Sequence, residues 1–254
     1  MTRSPFYVLP LATLLASAAC GDDDPVATGA TGALTVDFRG TVGTESLALE
    51  SSTYQAPGVP DGYRVSRLSF FVSEVELISE TAAGELGTDV AEIGYVELDP
   101  AGRGTLDLGD VPNGEYAGLR FRLGLTGEQD ALQPRDYAAG HPLADASEYW
   151  VDWGSYIFLK VEGRSDTLAD GRARFDQGFV YHVGKAAEFA REIEVRMPFT
   201  IGGQARAVGV DLDVETLLGL RGAAPLSLTG VADHQNGAAE RIMENAGRAF
   251  TRRD

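Results

Sequence analysis

Residues 104–125 read GTLDLGDVPNGEYAGLRFRLGL, and their pattern decides the class of fold. Leu106 and Leu108 alternate about Asp107. Pro112-Asn113-Gly114 then makes a turn, because proline presets φ and glycine accepts a positive one. Past the turn, Leu119, Phe121, Leu123 and Leu125 fall on one side of the chain, and Arg120 and Arg122 on the other. A period of two with one apolar and one charged face is that of a half-buried antiparallel strand.

The same pattern recurs in both directions. Residues 33–39 (ALTVDFR) and 92–98 alternate, as do 155–163, 178–183, 191–199 and 206–214. Ile193, Val195 and Met197 set against Glu192, Glu194 and Arg196 form the most regular case. In 63–79 (YRVSRLSFFVSEVELIS), Val65, Leu68, Phe70, Val72, Val75 and Leu77 give two strand-like stretches, with a phase shift near Ser66–Arg67. About eight or nine strands joined by Gly-rich turns predict a mainly β fold, an antiparallel β-sandwich. A long central loop, 126–149, interrupts it. Two short helices are expected. Asp213 can cap one at Val214–Leu220, and Asn236 precedes the other at the C-terminus, where Ile242, Ala246 and Phe250 fall at helical spacing.

The chain opens MTRSPFYVLPLATLLASAAC. Arg3, then an apolar run, then small residues give the shape of a signal peptide, too short for a membrane span. Ser17-Ala18-Ala19 leading into Cys20, the only cysteine, resembles a bacterial lipobox with Ser17 where leucine is usual. The resemblance implies cleavage before Cys20 and acylation there, and several acyl chains anchor a protein stably. Residues 1–19 are thus read as signal peptide, 20–32 as a lipidated flexible tether, and 33–254 as one domain. Gly21 follows the cysteine in place of aspartate, which in enteric lipoproteins goes with the outer membrane. The expected location is outside the cytoplasmic membrane, periplasmic or at the surface.

The formal net charge is −17, and loss of Arg3 with the leader makes it more negative. Such a surface repels nucleic acid and anionic lipid, so neither is expected as a partner. Once Cys20 is acylated, no thiol remains for a disulfide or a thiolate metal site.

Signatures of enzymes are few. There is no G-x-S-x-G elbow, P-loop, H-E-x-x-H or Cys-x-x-Cys. Glu148 and Asp152 flank Trp150, and paired acids beside aromatics occur in sugar-cleaving sites. In a chain this acidic the pair means little, and no enzyme is expected. The histidines say more, since there are only three: His141 in the long loop, His182 on a strand, and His234 before the last helix. Their spacing alone favours three separate histidines, each bonded locally. Trp150 and Trp153, the two tryptophans, most simply pack. An indole N–H donates and cannot ligate a metal.

Taken together, RLSFFVSEVELIS, HPLADASEYWVDWGSYIFLKVEG, FVYHVG and DHQNGAAERIMENAGRAF resemble the MbnP-like family of copper-binding proteins, linked in some bacteria to methanobactin. The resemblance covers most of 33–250, and the middle stretch is the most specific part. It implies a β-rich periplasmic or surface protein. Copper(I) would be held by histidines and by kynurenine, made when a di-haem partner enzyme resembling MauG oxidises a tryptophan. Opening the indole yields an aryl amine, and amine and imidazole nitrogens suit copper. His141 matches the family's histidine ahead of the aromatic motif, and Trp150 its first tryptophan. His182 matches the histidine of the Phe/Tyr-His-x-Gly strand, and His234 one before the last helix. The family motif Met-x-Trp-x-Trp-x-x-Gly-Tyr is altered here. Glu148 replaces the methionine, Asp152 the second tryptophan and Ser155 the glycine, and Trp153 is shifted by one. No histidine precedes His141, where family sites also use one. The expected function is copper acquisition or delivery. The alternative is a structural or interaction sandwich that keeps the fold without a metal site.

Overall fold

A computed structural model describes residues 29–185, 187–233 and 237–253. The signal peptide, Cys20, most of the tether, Asn236 and His234 lie outside the described residues. The chain runs through β1 (Thr31–Val42), β2 (Glu45–Ser46), β3 (Tyr54–Ala56), β4 (Val59–Thr81), β5 (Gly84–Glu97), β6 (Arg103–Pro112) and β7 (Gly114–Leu123). It continues through α1 (Gly127–Asp130), β8 (Tyr149–Trp150), β9 (Ser155–Ser165), β10 (Gln177–Gly184), β11 (Arg191–Ile201) and β12 (Arg206–Asp213). α2 (Val214–Leu217), β13 (Val231–Asp233), α3 (Ala239–Ala249) and β14 (Phe250–Arg252) complete it. β1 thus begins inside the segment read as tether. Among the described residues, no helix is long and apolar enough to cross a membrane.

Two sheets form, as the alternation predicts. One runs β14-β12-β1-β2, with β6 also on β1; the other runs β11-β7-β4-β9-β10-β13, with β3 and β5 on β4. Two pairings are parallel: β1 with β12, and β10 with β13. Alternation does not reveal strand direction, so these could not be read from the sequence. The phase shift near Ser66 is a β-bulge in one continuous strand: register against β9 slips between Val65↔Gly163 and Arg67↔Glu162.

The inward faces meet in one core. Phe38, Phe70, Phe121 and Phe250 contact edge-to-face at centroid distances of 5.3 to 6.3 Å. Each such contact adds about 0.5–1.5 kcal/mol beyond the area it buries. Phe250 was expected on the last helix. That helix stops at Ala249, and Phe250 opens a strand whose backbone pairs with Leu212. The edge of β12 offers hydrogen bonds there, and the ring still enters the core. Asp213 caps α2 as expected, its carboxylate accepting the N–H groups of Glu215 and Thr216.

One feature of topology positions the site. β9 and then β7 pair with the same edge of β4, β9 up to Phe70 and β7 from Val72. Gly124 sits at this fork, donating to the Phe71 carbonyl at 2.9 Å. The chain from Gly124 to Gly154 leaves at the fork and lies over the outer face of the large sheet. It seals a second, smaller core of Phe71, Leu125, Leu143, Tyr156, Phe158 and Ala190. The Tyr156 hydroxyl ties it down by donating to the Leu143 carbonyl at 2.7 Å. Asp130, at the end of α1, accepts the Ser155 hydroxyl at 2.8 Å and the Tyr156 N–H at 3.0 Å.

Candidate metal centre

The outer face of β9 and β10 carries Tyr156, Phe158, Lys160 and Glu162 on one strand and His182 on the other. His182 lies directly opposite Lys160, and Glu162 opposite Val180, so Glu162 is diagonal to the histidine. The diagonal closes: His182 Nε2 is 2.7 Å from Glu162 Oε1. That hydrogen bond, ahead of the opposing cost of burial, holds the Glu162 carboxyl below the usual range.

Above His182 sits the tip of the long loop. Trp150 pairs with Ser155, and the N–H groups of Trp153 and Gly154 return to the Trp150 carbonyl at 3.1 and 3.0 Å. Gly154 takes φ +65°, the left-handed value that lets so short a turn close. The turn folds Trp153 back onto Trp150, the two rings stacked 5.1 Å apart and 20° from parallel. Trp150 and His182 meet in a T-shaped contact, 6.0 Å between centroids and 67° between planes. Trp153 covers Gly184, where an added Cβ would lie 3.2 Å from the Trp153 ring and 2.3 Å from the Tyr156 carbonyl oxygen.

Beneath this tip lies an ionic cluster. Glu148 is 1 % exposed, its Oε2 2.8 Å from Lys160 Nζ and its Oε1 2.9 Å from Arg67. Lys160 also donates to the Ser147 carbonyl at 3.1 Å, and Arg67 Nε meets Glu97 at 3.0 Å. Burial, with Glu148 nearby, pushes the adjoining Tyr95 hydroxyl up to about 12. Glu148 is therefore a buried, doubly paired fastening for the loop, whereas Asp152 is exposed on the turn.

The structure separates the remaining histidine. His141 stacks on Tyr137 at 4.4 Å and 12°. Its Nδ1 accepts the Leu143 N–H at 3.1 Å and so caps the turn Pro142–Ala144. A neutral imidazole accepting at Nδ1 carries its proton on Nε2, so this pose offers no nitrogen lone pair to a cation. Among the described residues, no three His, Cys, Asp or Glu side chains gather where they could hold a metal. Trp150 and His182 come together; His141 serves as a cap; His234 lies outside the described residues. Glu162 went unread in the sequence. Its signal is a polar residue two positions from Lys160 on the outer side of an otherwise apolar strand.

A family model for MbnP matches residues 31–239. The chain belongs to the MbnP family. The fold agrees: the solved structure of MbnP from Methylosinus trichosporium superposes with a TM-score of 0.52 over 79 % of this chain and 80 % of that one. Sequence identity is 14 %, so that likeness is one of fold. No curated protein matches the chain. Within the family's span fall Trp150, His182 and Glu162, together with the loop that brings them into contact.

Proposed function

We propose that this chain is an exported, lipid-anchored protein that takes up or delivers copper at the Trp150–His182 site. The observation that carries the reading is the T-shaped contact of Trp150 with a histidine that is itself held by a carboxylate. Imidazole and amine nitrogens are donors that copper accepts readily, and a histidine ligand almost always has such an outer partner. His182 supplies the imidazole. Trp150 becomes a donor only when its indole is opened to kynurenine, which carries an aryl amine. The oxidant is dioxygen or peroxide, used by a partner enzyme, in family terms a di-haem protein resembling MauG; the indole C2–C3 bond breaks and C2 leaves as formate. Val151 beside Trp150 is 81 % exposed, so the hairpin tip is open to such a visitor.

Asp233, the residue before His234, lies opposite Tyr181, the residue before His182. The acidic surface raises the local concentration of cations around it. Acylation at Cys20 and the segment after it would hold the domain near a membrane, and the charge keeps nucleic acid away.

The test is intact mass and metal content of the protein purified from its own host. The expected result is one bound copper and a mass on the Trp150 peptide raised by one oxygen and lowered by one carbon. Unmodified tryptophan with no copper would overturn the reading and leave a tethered sandwich in which His141, Trp150 and His182 serve packing alone.

A further inference from the structure

β11, an edge strand of the large sheet, runs beside β12 and β14 of the small one. β14 pairs with β12 only at Val210, Asp211 and Leu212, and beyond them the Arg253 N–H reaches the Gly209 carbonyl at 3.0 Å. Backbone direction repeats every second residue, so Ala207 turns its N–H and C=O towards that same edge. Among the described residues, no strand pairs with the edge there. A groove of about 240 Å³ lies at this place. Met197, Phe199 and Val208 form its apolar wall, all of them nearly buried. Arg206, Arg252 and Arg253 line the rest, with no carboxylate among the lining residues. In a chain where 38 acidic residues face 21 basic ones, such a groove runs against the composition. Arg206 is exposed and makes no ion pair. The Arg253 guanidinium lies across Gly209, where an added Cβ would be 2.5 Å from its Nε. Its nearest carboxylate, Asp37, is 4.0 Å away. Asp211 on β12 is taken by Arg39 at 2.9 Å, and Arg252 is already engaged.

We propose that this groove docks an acidic, extended segment of a partner protein, which adds to the edge of β12 at Ala207 and sets its carboxylates against Arg206 and Arg253. Pairing at an open sheet edge supplies main-chain hydrogen bonds, and the alternate side chains of the added strand supply selectivity. Across the groove, β11 carries Pro198, which has no N–H to give, so β12 is the edge that pairs. The volume argues for side chains of a peptide over a free metabolite, since pockets for whole small molecules begin at about 300 Å³. Charge argues for glutamate or aspartate in that peptide. At physiological salt, charges further off than about 8 Å are largely screened, so the local arginines outweigh the distant acids of this chain. A second copy is disfavoured as the occupant, because two such acidic chains repel each other.

The experiment titrates the nitrogen-labelled protein, followed by NMR, with an end-blocked peptide of alternating valine and glutamate. Peptides with glutamine or lysine in place of glutamate are the controls. The glutamate peptide is expected to bind most tightly and to shift the Ala207 amide and the Nε signals of Arg206 and Arg253. Arg206→Gln and Arg253→Gln are each expected to weaken it about two- to fivefold. Ala207→Pro, which removes the edge N–H, is expected to weaken it about fivefold. Arg172→Gln, at an exposed arginine outside the groove, is expected to leave affinity unchanged. Melting temperatures check that each variant folds, and if Ala207→Pro does not, the two arginine variants decide. Equal binding of the glutamine peptide, unchanged affinity in both arginine variants, or an equal loss in Arg172→Gln overturns the proposal. Free N-acetylglutamate binding as tightly as the peptide overturns it in favour of a small-molecule site. A dimer in sedimentation of the protein alone that Arg206→Gln dissolves overturns it in favour of a second copy.

Discussion

Glu148→Gln removes one charge and little else. The carboxylate it deletes is 1 % exposed and lies between Lys160 at 2.8 Å and Arg67 at 2.9 Å. Arg67 keeps Glu97 at 3.0 Å and has 30 % of its side chain in solvent, so it adapts. Lys160 is 5 % exposed and keeps only the Ser147 carbonyl at 3.1 Å among its partners here. The cost therefore falls on an ammonium left buried without a counter-charge. Breaking a buried pair costs about 3–5 kcal/mol, and the retained carbonyl and the adaptable arginine place this one near 3. At roughly 2–4 °C per kcal/mol for a domain of this size, the melting temperature should fall by about 6–12 °C. Urea unfolding followed by tryptophan emission is the assay, because Trp150 and Trp153 are the only tryptophans and both ride on the loop that Glu148 fastens. Replacing both partners with methionine should restore stability to within about 1–2 kcal/mol of wild type, since apolar isosteres of a buried pair are often neutral or better. The double-mutant cycle should then show a coupling of about 2 kcal/mol. A single substitution costing under about 0.5 kcal/mol, or two that simply add, would refute the view that this pair holds the loop down.

Three further outcomes are expected. Gly184→Ala should push a methyl into the Tyr156 carbonyl at 2.3 Å and the Trp153 ring at 3.2 Å; near-ultraviolet circular dichroism should lose the signal of the stacked tryptophans, and an unaltered spectrum would contradict the packing. Phe38→Ala should cost about 3–5 kcal/mol in denaturant unfolding, because Phe70, Phe121 and Phe250 all meet that ring. Asp176 accepts the Thr167 N–H at 2.9 Å, and that bond above all holds its carboxyl down to about 2. A folded value below the unfolded one of about 3.9 stabilises fully above that pH and fades as pH falls towards 2. Asp176→Asn should flatten the acid limb of stability between those values; a limb of unchanged slope would show that the bond does not form in solution.

What the sequence determined is what neighbouring residues decide among themselves. Strict alternation in 119–125 and 191–197 placed Leu119, Phe121, Ile193 and Val195 inward because a pleated strand has a period of two. The break near Ser66 was visible as a phase error, and the cap at Asp213 as a residue type in front of a helix. The tertiary structure alone decided the rest, because it depends on pairings between distant segments. Parallel pairing of β1 with β12 leaves no trace in either strand's own pattern. Phe250 continues the helical spacing of Ile242 and Ala246, yet the edge of β12 claims its backbone. The site follows the same rule. The scarce histidines and tryptophans marked the candidates, but their spacing was silent on which would meet. Two strands in register and one turn at Gly154 bring Trp150 to His182, while a backbone N–H two residues away engages His141. Glu162 and Lys160 were two more charges in an acidic chain until the fold placed one against the histidine and the other beneath the loop, where exclusion of water gives each contact its strength.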